Sequence, residues 1–164
     1  TDNAGARIVL INAGSSLVQM TIKSFDIATI DARRLAKPSQ RVQNLRIDHN
    51  STVTLITEAG EKEANVDFRF TANYRAVEEV VGIIRIEGTL VYEGKGREVA
   101  RQWNSNGQMP NDVANEIHSS IMSICIPEAV VVARDLRLPP PIPIPQVNIP
   151  TMPPPQKGRG MEVA

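Results

Sequence analysis

The chain has 164 residues, with 18 Lys and Arg against 18 Asp and Glu, and at that length one domain with enough chain to bury a core is expected. Hydrophobic residues at 41% and charged residues at 22% are the balance of a globular protein, and no uninterrupted apolar run approaches the roughly 18 residues that span a bilayer, so no membrane anchor is expected. One cysteine, Cys125, and two separate histidines, His49 and His118, exclude an internal disulfide and a His/Cys zinc site; no cofactor is implied, and without a basic-then-apolar leader the expected setting is the cytoplasm.

Residues 1–17 open with the apolar run Ile8 to Ile11 and the turn Asn12-Ala13-Gly14-Ser15-Ser16. Such a turn can present backbone N–H groups to a phosphate, but nothing after Ser16 supplies the further motifs of such a site, so an edge strand or an arm is expected. In the segment that follows, Val18, Met20 and Ile22 share one parity while Phe25 and Ile27 fall on the other. That break predicts a strand with a bulge near Lys23-Ser24 or a change of partner there. Arg33, Arg34, Lys37, Arg41 and Arg46 then form a stretch with no acid, and His49, between Asp48 and Asn50, reads as a loop residue.

Thr52 to Glu58 is rich in β-branched residues, and Ala59 to Glu63 is a connection of hairpin length. Phe68, Phe70, Ala72 and Tyr74 alternate with polar residues, the period of two of a half-buried strand. A third strand runs from Val80 to Tyr92, with Ile84, Ile86, Leu90 and Tyr92 on one face and Gly82 and Gly88 leaving room on the same face. Four strands in an antiparallel meander are the economical reading.

From Gly96 the period changes, and Val99 and Trp103 suit a short helix that stops near Asn106-Gly107. Pro110 opens a second helix, with Asn111 or Asp112 as cap and Val113, Ile117, Ile121 and Ile124 as its stripe. Pro127 removes a hydrogen bond to the Ser123 carbonyl and predicts a kink. Beyond it, Ala129 to Ala133 is apolar all round, which predicts that Val130, Val131 and Val132 pack against a partner or a second copy.

Nine of the twelve prolines lie between Pro139 and Pro155, so residues 139–164 are expected to be a stiff extended arm, and the folded unit, residues 18–138, to end near Leu138. Ile142 and Ile144 are apolar enough to pack on this domain or a neighbour, and Lys157 and Arg159 close the arm.

Nothing in this pattern points to catalysis. His118 is seven residues from Cys125, about two helical turns away, so a thiol and base pair is not expected and Cys125 reads as a core residue. Charge is segregated, with seven cations against four acids in residues 1–50 and nine against thirteen in residues 51–138. Arg33, Arg34, Lys37, Arg41, Arg46, Lys157 and Arg159 are therefore candidate RNA contacts, weighed against a solvated loop.

The order of elements, with Cys125-Ile126-Pro127, then Ala133-Arg134, and a Pro/apolar segment ending near Gln146-Val147-Asn148, resembles the SecB family of protein-export chaperones, its divergent archaeal SecB-like members in particular. Phe68-Arg69-Phe70 followed by Tyr74, and Gly88 with Leu90 and Tyr92, stand where that family places its central strands, and the likeness covers about residues 18–149. The resemblance implies an α+β fold, a four-stranded antiparallel sheet backed by a long kinked C-terminal helix, with no active site. It also implies subunits that pair and hold unfolded polypeptide through apolar surface, for which Phe68, Phe70, Tyr74, Tyr92 and Trp103 are the expected contacts. The alternative is an accessory subunit of an archaeal ribosome, bound to ribosomal RNA and proteins through the basic stretch and the arm.

Overall fold

The computed structural model describes residues 21–41 and 44–143. Four strands, β1 (Thr21–Arg34), β2 (Arg46–Glu58), β3 (Glu63–Arg75) and β4 (Val80–Glu93), are followed by helices α1 (Gly96–Asn106) and α2 (Asn111–Asp135). All strand pairs are antiparallel. β2, β3 and β4 form the expected meander, but β1 joins the free side of β4, so the sheet order is β1-β4-β3-β2. The difference lies in the connection: tight hairpins link β2 to β3 and β3 to β4, whereas residues 35–45 are long enough to pass the end of the sheet.

The alternation in β3 is the clearest link from sequence to packing. Ala64, Val66, Phe68, Phe70, Ala72 and Tyr74 are buried on the helix side, as are Ile84, Ile86, Leu90 and Tyr92 of β4. Gly82 admits Leu138, and Gly88 admits the Phe68 ring and the Asp26 backbone of β1, where a Cβ would collide. In β1 the pairing with β4 shifts between Ile22 and Ser24, as the parity break predicts, and again between Ile27 and Thr29. Each bulge resets the parity, so Ile22, Phe25, Ile27, Ile30 and Ala32 stand opposite Tyr92, Leu90, Gly88, Ile86 and Ile84, on the helix-facing side. β2 starts earlier than expected and takes in His49, which pairs with Ala72 and is not a loop residue; the β3 partner overrides a polar local sequence.

α1 ends where the sequence predicts, with Gly107 in the left-handed region and its N–H on the Trp103 carbonyl at 2.8 Å. α2 begins differently. Neither Asn111 nor Asp112 caps it; Pro110 holds the N-cap position, and its carbonyl accepts the Ala114 N–H. Its buried stripe is Val113, Ile117, Ile121, Cys125, Ala129 and Ala133, a stride of four that brings Cys125 inward in place of Ile124. Pro127 lies within a helix that continues to Asp135. By length and composition α2 is apolar enough to cross a membrane, a test that core helices also pass, and here its stripe packs on the sheet.

Candidate functional site

Beyond α2 the chain becomes a strap that crosses the sheet in strand order. Arg34 of β1 donates to the carbonyls of Leu136 at 3.3 Å and Arg137 at 2.7 Å, and to that of Ala36 at 3.1 Å. It thus places a cation on the electronegative end of α2. Leu138 then packs on Gly82 of β4, the Tyr74 hydroxyl of β3 donates to the Pro139 carbonyl at 2.8 Å, and His49 Nε2 of β2 lies 2.6 Å from the Pro141 carbonyl. A carbonyl only accepts, so that nitrogen carries the proton. Ser51 Oγ meets His118 Nδ1 of α2 at 2.5 Å, and α1 packs against β2 and β3. The side of the core along β2 is therefore closed by the chain itself.

Among the described residues the side along β1 is not. Ile22, Phe25, Ile27 and Ala32 are half-buried, and Ile30 is 45% exposed. Phe25 rests on Phe68 with ring centroids 4.6 Å apart. The outer edge of β1 has no strand beside it among the described residues, so an apolar row lies next to unpaired backbone N–H and C=O groups. This arrangement can take up an extended segment, through main-chain hydrogen bonds and alternate side chains.

The aromatic contacts expected from the sequence are elsewhere. Phe68, Phe70, Tyr74 and Tyr92 are at most 2% exposed, so they form the core and present no surface; alternation that marks a half-buried strand cannot distinguish a packed face from an open one. Trp103 is half-buried against the core. Burial pushes the Tyr74 hydroxyl and the Cys125 thiol each up to about 12, the nearby Glu128 carboxylate adding to the shift at Cys125, so both stay neutral and the thiol is not activated as a nucleophile.

The basic stretch is divided by the fold. Arg34 is turned inward as the clamp, Arg33 is paired with Asp31 at 3.3 Å and Arg46 with Asp48 at 2.7 Å, which leaves Lys37 and Arg41 exposed without an ion-pair partner among the described residues. Of the residues expected to pack on a partner, Val130 and Val132 are half-buried, while Val131 and Ile142 are 49% and 52% exposed. Ile144, Lys157, Arg159, the N-terminal segment and most of the arm lie outside the described residues.

The row on β1 was missed by the sequence reading because two bulges scatter it over both parities; the break at Lys23 was the available signal. No family model matches the chain, and no curated protein matches it in sequence. Among solved structures it is similar to the Mycobacterium tuberculosis Rv1957 SecB-like chaperone in complex with a ChAD peptide from the Rv1956 HigA1 antitoxin. The TM-score is 0.51 at 12% identity, over 78% of this chain and 90% of that one, a likeness of fold.

Proposed function

We propose that the protein is a non-enzymatic, chaperone-like binder that holds extended polypeptide along β1, within a cytoplasmic setting. The observation that carries this is the apolar row of partly buried Ile22, Phe25 and Ile27 with exposed Ile30, beside a strand edge that is unpaired among the described residues. The peptide bound by the structurally similar chaperone supports the same reading at the level of a polypeptide partner. A ribosomal partner has no comparable support, and the clamp occupies Arg34, one of its expected contacts. Exposed Val131 and Ile142 fit a second contact, with another copy or another chain, which sedimentation would read as mass.

The test replaces Ile27 and Ile30 with Ser in the full chain and measures binding of an unfolded, fluorescently labelled polypeptide. Ile30 is already half in solvent while Ile27 packs against the core, so the thermal midpoint should fall modestly, through the loss at Ile27, while affinity falls about tenfold. Unchanged affinity in a folded double variant overturns the assignment to β1.

A further inference from the structure

Charge along the open edge is polarised in the direction of β1. At its C-terminal end Arg33 and Arg85, with Leu35, Ile83 and Asp31, line a shallow depression on the outer face. Next to it the Arg34 clamp gathers the Lys37 and Arg137 backbones, so that those two side chains join the same end. Lys37, Arg85 and Arg137 have no ion-pair partner among the described residues, and Asp31, Asp135 and Glu79, the last accepting from Gln40 at 3.1 Å, offset only part of this charge. The N-terminal end is the reverse. Glu93 stands opposite both Thr21 and Glu63, Lys23 is bound to Glu63 at 2.5 Å, and Asp112, Glu116 and Glu98 lie near Tyr92, the partner of Ile22, with Lys62 and Lys95 at the adjoining Gly94 turn offsetting part of this charge.

From Ile22 to Arg33 the strand spans roughly 35 Å at about 3.3 Å per residue. That is several times the ~8 Å over which exposed charges are screened at physiological salt, so each end acts on whatever lies next to it. An antiparallel added strand, the better hydrogen-bonded arrangement, starts at the cationic end of β1 and finishes at the acidic end.

We propose that the β1 edge selects the direction of its client by charge, taking extended segments in which acidic residues precede the apolar stretch and basic residues follow it. The proposal rests on β1 being the polypeptide site and adds to it the chemical class of segment taken. Apolar contact supplies affinity and is indifferent to chain direction; the terminal charges are not.

The experiment uses the full chain and three labelled peptides with one alternating apolar core: acidic flank first and basic flank last, the same flanks exchanged, and serine flanks. With two or three exposed pairs at stake, the acid-first peptide should bind roughly five- to tenfold tighter than the exchanged one at low salt, with serine between. The difference should vanish at about 0.5 M salt while binding of the serine-flanked peptide persists. Lys37→Glu with Arg137→Gln should bring the two charged peptides together and leave the serine-flanked peptide unchanged. Equal affinities at low salt, or a tighter exchanged peptide, with the serine-flanked one still bound, overturn the directional proposal alone. Failure of all three to bind overturns the reading of β1 as well. A single-stranded oligoribonucleotide that displaces the acid-first peptide more effectively than unlabelled peptide does would instead make the cationic end a nucleic-acid surface and overturn the proposal.

Discussion

The two edge strands share one sheet and one helix yet end in opposite conditions. On β2 the helix-facing Val53 and Ile56 are 8% and 0% exposed, Ile47 is partly buried, His49 and Ser51 are hydrogen bonded, and α1 and the strap close the flank. On β1 the equivalent row stays half open, with Ile30 45% exposed. Both edges carry bulges, at Lys23 and Ala28 in β1 and at Thr54 in β2, so irregular pairing does not separate them. The difference comes from where the chain goes after α2: the strap starts at Arg34 and leaves β1 behind as it moves to β2. An open apolar edge is a hazard in most folds, and the contrast with a flank that the strap and α1 cover is what favours β1 in the proposed function.

The contrast is most directly broken by detaching β1. Gly88→Ala places a Cβ against the Asp26 backbone and Phe68, and should cost about 3 kcal/mol, read as a lower urea midpoint with faster amide exchange across β1 than across β2. The closed side should fail in alkali. Tyr74 is neutral in the fold, with its pKa raised to about 12, and in the unfolded chain it ionises near 10, so its contribution is complete below pH 10 and is lost as pH rises toward 12. That loss should be of order 2–3 kcal/mol, and Tyr74→Phe should flatten the slope of stability against pH in that window at the cost of the Pro139 hydrogen bond. Arg34→Met keeps the aliphatic stem but removes the donors to Leu136 and Arg137. It should cost about 2 kcal/mol and raise exchange in residues 136–141, with β2 otherwise protected. The smallest effect belongs to the solvent face. Arg69→Ala removes a 2.6 Å pair with Glu87 between half-exposed side chains and should shift stability by less than about 0.5 kcal/mol.

How far the sequence carried the reading depended on whether local pattern and tertiary pairing agree. Phe68 to Tyr74 alternates cleanly because β3 is central and pairs on both sides, so its period is set by burial alone. The bulge at Lys23 was legible for the same reason, as a break in an otherwise regular row. Arg46 to Ser51 was not legible as strand, since its Asp, His and Asn are turn formers that only the neighbouring β3 holds extended. The burial of the expected aromatic contacts was not legible because aromatic residues supply both cores and interfaces, and nothing local tells Phe70 at 0% exposure from Phe25 at the rim. Arg34 is the instructive case among the cations: it sits in a basic run like its neighbours, and only the return of the chain after α2 turns it into a clamp.

That clamp joins residues 103 positions apart, a strand made early and a helix end made late. A chain emerging in order from its N-terminal side therefore completes the whole sheet before the segment that seals it exists. Its inner face stays open through the synthesis of β4, α1 and most of α2. Folding so dominated by distant partners is slow and exposed to aggregation, so this chain passes through a long interval in which its own apolar face is uncovered.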